Sequence, residues 1–207
     1  MHSNPIIQTG ASLETAAGVM IMVHGRGADA ASILSLSQAF ERPDWAYLAP
    51  QADNHTWYPQ RFIEPVAVNQ PALDFALAAV GRAVAEAEAH KIPRNKIVVL
   101  GFSQGACLAL EWVARYGQGL AGVIALSGGL IGAGTHLTSY STNLAGTTAF
   151  LGCSDRDFHI AAERVRESAS VFEQAGAKVD LRLYPNMGHT VNDDEISAIQ
   201  ALLSKLG

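Results

Sequence analysis

Apolar positions along the chain fall into two alternating kinds of pattern. Gly18 to Val23, Trp45 to Ala49, Ile97 to Leu100, Ala121 to Leu126 and Thr147 to Leu151 are short, nearly continuous apolar runs, as expected of strands covered on both faces of a parallel sheet. Between them, apolar residues recur three and four apart and predict helices. Ala31, Ile33, Leu34, Leu36, Ala39 and Phe40 form one such set behind an N-cap at Asp29. Leu73, Leu77, Val80 and Val84 form another within Pro71 to His90, and further helices are expected just past Ser103, over Ile160 to Gln174 and over Asp193 to Leu206. Val179 to Tyr184 alternates in polarity and predicts a last strand, and residues 5–17 predict a short edge hairpin. Strands alternating with helices argue an α/β fold with a mostly parallel central sheet and helices on both faces.

Two intervals carry no period. Residues 51–70 hold Trp57, Tyr58 and Phe62 among prolines and asparagines, and a structureless connection of that length inside a compact domain is usually functional. Residues 130–146 are rich in Gly, Ser and Thr and predict a surface excursion.

At 207 residues, one domain spanning 1–207 with a sizeable core is expected. Only 16% of residues are charged and the formal net charge is -5, with no clustering of Lys and Arg. That argues against nucleic-acid partners and against recruitment to an anionic membrane. No metal-ligand spacing or nucleotide loop is present, so no cofactor and no metal are expected. Two cysteines, Cys107 and Cys153, allow at most one bridge. The first residues lack a basic region, and the run from Gly18 is too short for a signal or membrane helix. The expectation is a cytoplasmic protein without stable membrane insertion.

The chemistry centres on Gly101-Phe102-Ser103-Gln104-Gly105. An apolar strand ends at Gly101 and a helix begins just past Ser103, the strand-turn-helix setting that gives G-x-S-x-G its meaning. Ser103 would project from a tight elbow, with the first helical N–H groups beside any oxyanion formed there. A base for this hydroxyl is best supplied by His189, which lies between the last strand and the last helix, at the sheet edge where open α/β folds place their sites. His24 follows the first strand in a glycine-rich turn and is expected to hydrogen-bond its loop. His55, His90, His136 and His159 have no comparable setting, and His2 is terminal. An orienting carboxylate should follow another strand, and Asp155 and Asp157 both qualify, one of them being a helix cap. The oxyanion donors are expected to be the backbone N–H groups of Gln104 and of Arg26 in Gly25-Arg26-Gly27. Cys107, one turn into the elbow helix, is expected to be a small buried hydrophobe.

His24-Gly25-Arg26-Gly27, Trp57-Tyr58-Pro59, Gly101 to Gly105, Ser127-Gly128-Gly129-Leu130, Asp157-Phe158-His159-Ile160 and Gly188-His189, in that order over nearly the whole chain, resemble the phospholipase/carboxylesterase family of α/β-hydrolases, which includes the acyl-protein thioesterases. The resemblance implies a small cofactor-free serine esterase with minimal or no cap domain, acting on short-to-medium acyl carboxylic esters, and it admits a homodimer. Its Asp-x-x-Ile/Val pattern favours Asp157 over Asp155 as orienter. Ala161 departs from it, since similar members usually have proline there. Ser103, His189 and Asp157 would then form the triad, and Trp57, Tyr58 and Phe62 would line the pocket for a small-molecule ester. Two other functions compete: an acyl-protein thioesterase, which would need a long apolar acyl channel, or a lysophospholipase; and a non-catalytic binding protein, which would lack a triad member.

Overall fold

The computed structural model describes residues 2–134 and 140–206. Among these, the apolar runs become strands of one sheet: β1 (Ile7–Gly10), β2 (Gly18–Val23), β3 (Trp45–Ala49), β4 (Ile97–Phe102), β5 (Gly122–Leu126), β6 (Thr148–Ser154) and β7 (Lys178–Tyr184). Their order is β1-β3-β2-β4-β5-β6-β7. Every neighbouring pair is parallel except β1 with β3, where Ile7 lies opposite Ala49. The expected edge element is therefore this single strand laid against β3, not a hairpin closed on itself.

The period-2 geometry of a strand sorts neighbouring side chains to opposite faces. Val19, Ile21 and Val23 of β2, with Ile97 and Val99 of β4, pack on one side beneath α2 (Ala72–Ala89), α3 (Gln104–Tyr116) and α4 (Ala162–Gln174). Met20, Met22, Val98 and Leu100 pack on the other beneath α1 (Ala30–Ser35) and α5 (Asp193–Ser204). Asp29 caps α1 as expected, its Oδ1 accepting from the Ser32 N–H at 2.8 Å. The 51–70 connection contains only two short 3₁₀ turns, Asp53–His55 and Val66–Asn69.

The 130–146 interval departs from its surface reading. Leu130, Ile131 and Leu144 are buried, and the Glu111 carboxylate inside α3 accepts from the Ile131 N–H at 3.1 Å and the Tyr140 hydroxyl at 2.6 Å. Both ends of the interval are thus tied into the core. Residues 135–139, with His136, lie outside the described residues.

From β2 the chain moves outward to β3 and then returns to the far side of β2 as β4. The direction of winding reverses between β2 and β4, and the crevice beyond the carboxyl ends of strands at such a point is where open α/β sheets bind ligands. His24 follows β2 there and Ser103 follows β4.

Candidate active site

Ser103 has φ +56° and ψ −120°, a backbone conformation costly for any residue with a Cβ. The two flanking glycines make that turn possible. A Cβ on Gly101 would lie 2.2 Å from the Gly105 carbonyl oxygen, and one on Gly105 would lie 2.1 Å from the Val23 oxygen and 2.5 Å from that of His24. The G-x-S-x-G spacing is therefore a packing requirement between β4, α3 and the end of β2. The Ser103 N–H donates to the Leu126 carbonyl at 2.9 Å, extending the β4–β5 ladder to the elbow.

His189 Nε2 lies 2.8 Å from Ser103 Oγ, and its Nδ1 lies 2.6 Å from Asp157 Oδ2. Asp157 is fully buried at its side chain. Burial alone would raise its pKa, but the His189 ring and the N–H groups of His159 and Ile160, 2.7 and 3.1 Å from Oδ1, outweigh it and hold the group below the usual carboxylate range. With Nδ1 facing an ionised carboxylate, Nε2 is left to accept a proton from the serine. Asp155 has another place: its Oδ1 accepts from the Asn186 N–H at 2.9 Å and its own N–H donates to Tyr184 O at 3.0 Å. Together with Ser154 Oγ, which accepts from the Gly188 N–H at 3.3 Å, it stitches the loop after β6 to the loop after β7. Asn192 and Glu195 close the second loop with a reciprocal capping box on α5. Ala161, at the N-cap of α4, has φ −66°, an angle that proline would also hold.

The backbone N–H groups of Arg26 and Gln104 donate to no protein acceptor among the described residues. A Cβ on Gly25 would come within 3.4 Å of Ser103 Cβ, so the Arg26 turn lies directly against the elbow. The side chains of the same two residues latch the aromatic loop. Gln104 Oε1 accepts from the Trp57 N–H at 3.0 Å, and its Nε2 donates to Tyr58 O at 2.8 Å. The Arg26 guanidinium, which neither faces solvent alone nor meets a carboxylate, donates to the carbonyls of Tyr58, Pro59 and Gln60 at 2.9 to 3.1 Å. His24, fully buried, accepts from the Ala52 N–H at 3.2 Å.

Ser103 and His189 open on a cavity of about 460 Å³, whose wall includes Tyr58, Phe62, Phe102, Cys107 and Ile160. Tyr58 and Phe62 line this cavity, whereas Trp57 is not among the lining residues. It is completely buried behind the wall, donating from Nε1 to His24 O at 2.8 Å, its ring tilted against that of His24 with centroids 4.8 Å apart. Burial pushes the Cys107 thiol up to about 12, which keeps it protonated and a poor nucleophile. Both cysteines are free and buried. His159, passed over in sequence, lines the cavity with its ring 4.9 Å from that of His189. His2, dismissed as terminal, is buried against Trp57 and hydrogen-bonds Trp57 O at 2.9 Å. Only its place in the fold reveals that, although the Asp-x-His spacing was available for His159.

The phospholipase/carboxylesterase family model matches residues 3–207. The chain belongs to that family of α/β-hydrolases. A solved family structure from Dyadobacter fermentans is 42% identical, with a TM-score of 0.94 over 98% of this chain and 97% of its own. The Bacillus cereus carboxylesterase shares the fold at 22% identity, with a TM-score of 0.75 over 98% and 94% of the two chains. Acyl-protein thioesterase 1 of Debaryomyces hansenii is 31% identical over 110 residues, covering 52% of this chain and 47% of the relative. The match thus spans about half the length of such curated family members. Among the described residues no helix is long and apolar enough to cross a membrane.

Proposed function

We propose that this family member is a serine carboxylesterase acting on short-to-medium acyl esters of small molecules. The observation that carries the reading is the unbroken hydrogen-bonded series Ser103–His189–Asp157 facing a largely apolar cavity. In this mechanism Ser103 Oγ adds to the ester carbonyl carbon while His189 Nε2 takes its proton. The oxyanion is held by the N–H groups of Arg26 and Gln104 at the start of α3. Collapse breaks the bond to the alcohol, which leaves with the proton from His189. Water then repeats the sequence on the acyl-enzyme and releases the acid. Asp157 keeps the imidazole in one tautomer and stabilises the imidazolium formed in each half-reaction.

The name of the Debaryomyces relative gives a second substrate class, a thioester on a protein, which the same chemistry would serve. A fluorophosphonate probe should add its mass once to the wild-type protein and not at all to Ser103→Ala. Label persisting on the variant would reject Ser103 as nucleophile. Rates on p-nitrophenyl esters of rising chain length, set beside an acyl thioester, distinguish the two substrate classes.

A further inference from the structure

We propose that Arg61 is a specificity residue that recognises an anionic group, a carboxylate or a phosphate, carried by the substrate ester. The proposal rests on the serine-esterase reading and names the substrate class for that site. Among the described residues, the cavity in front of Ser103 is lined by two guanidinium-bearing residues, Arg26 and Arg61, and by no Asp or Glu. This is unusual company in a chain of net charge -5.

The two cations have different duties. Arg26 spends its N–H groups on the carbonyls of Tyr58, Pro59 and Gln60, so it shapes the wall. Those acceptors are neutral and leave its positive charge uncancelled. Arg61, next in the same loop, is exposed, and among the described residues its guanidinium meets no hydrogen-bond acceptor and no carboxylate, although Glu64 is three residues away. Its five donors are free to hold an oxyanion, and a guanidinium fork matches carboxylate and phosphate geometry. The site's own carboxylate, Asp157, is turned to His189 Nδ1 and is not among the residues lining the cavity. Apolar wall residues, Phe62 among them, lie beside Arg61 in the lining. A neutral ester would use the apolar surface alone, whereas an ester with an anionic arm would use both.

The test compares matched ester pairs in wild type, Arg61→Ala, Arg61→Lys and Arg61→Glu. An anion on the acyl side is probed with the p-nitrophenyl monoester of glutaric acid against p-nitrophenyl pentanoate. An anion on the alcohol side is probed with the acetyl esters of para-hydroxybenzoate and of para-hydroxyphenyl phosphate against phenyl acetate. In one of these arms the anionic-to-neutral ratio of kcat/KM should fall about 10-fold in Arg61→Ala and further in Arg61→Glu, mostly through KM. Arg61→Lys should retain part of it, and added salt should erode it in wild type. A ratio that Arg61 variants leave unchanged in every arm overturns the proposal while leaving the esterase reading intact. Protection of Ser103 from fluorophosphonate by glutarate or phenyl phosphate gives a readout without turnover. Protection lost in Arg61→Glu supports the anion site even if no ester is hydrolysed, and absence of protection in wild type counts against it.

Discussion

Replacing Glu195 by Gln should change how stability depends on pH, by an amount that its surroundings set. The Glu195 side chain is fully buried at the start of α5, with Oε2 accepting from the Asn192 N–H at 3.0 Å. Oε1 has no hydrogen-bond partner among the described residues and is crowded against Gly152 of β6, where a Cβ would lie 2.1 Å away. Burial pushes the carboxyl from its ordinary 4.5 up to about 7; the Asn192 N–H opposes this and the charge of Asp194 adds to it. Between those two values the native state keeps a proton that the unfolded chain has lost, so stability must fall as pH rises. The stabilisation is complete below the ordinary value and is lost on passing through about pH 7. At 1.36 kcal/mol for each pH unit, the interval corresponds to roughly 3 kcal/mol. Gln keeps the acceptor for Asn192 and mimics the protonated acid, so it should remove this dependence. Urea unfolding of both proteins at about pH 5 and about pH 8 isolates the effect, because every other titrating group is shared. Stability of the variant relative to wild type should rise by up to about 3 kcal/mol at the higher pH. A difference that stays constant between the two conditions would refute the reasoning and mean that the carboxyl is hydrated or paired.

Asp157→Asn should lower kcat on any good ester by several powers of ten, as when the orienting acid of a serine triad is lost. Asp155→Asn, which keeps an oxygen for the Asn186 N–H, should change it only a few-fold; the reverse ranking would move the orienting role to Asp155. Trp57→Ala should lower the melting temperature sharply, since emptying a fully buried Trp site costs about 3–5 kcal/mol, while the order of preference among p-nitrophenyl esters is retained. A shifted chain-length profile at unchanged melting temperature would return Trp57 to the cavity wall.

Most of the sheet was legible because its strands are covered on both faces. Gly18–Val23 and Trp45–Ala49 have the limits of their apolar runs, and Asp29 and Ser103 mark helix starts through local chemistry that needs no tertiary context. The edges were harder to see. Ile7–Gly10 is exposed at every residue, so it has no apolar pattern, and only pairing with β3 makes it a strand. Leu130 and Leu144 were hidden for the opposite reason. The Leu130 N–H donates to Ser168 of α4 and the Leu144 N–H to Ala175 just past it, partners far away in sequence. In the site, Ser103 and His189 stood out by strand-to-helix context. Trp57 was misplaced because an aromatic in an irregular loop has no period to say whether it faces a cavity or the core behind it. The guanidinium of Arg26, which grips three carbonyls more than thirty residues away, leaves no trace in local sequence.

That grip couples two properties usually varied independently. The residues whose N–H groups flank Ser103 are the residues whose side chains hold the 57–60 segment in place. A change that swells or shifts this segment to admit a bulkier ester must pull on Arg26 and Gln104, and so on the two N–H groups proposed to hold the oxyanion. Selection for larger substrates through that loop should therefore trade turnover for capacity. The part of the wall formed by Ile160 and His159 ahead of α4 has no such link to Arg26 or Gln104 among the described hydrogen bonds, and substitutions at Ile160 can reshape the cavity without disturbing those N–H groups.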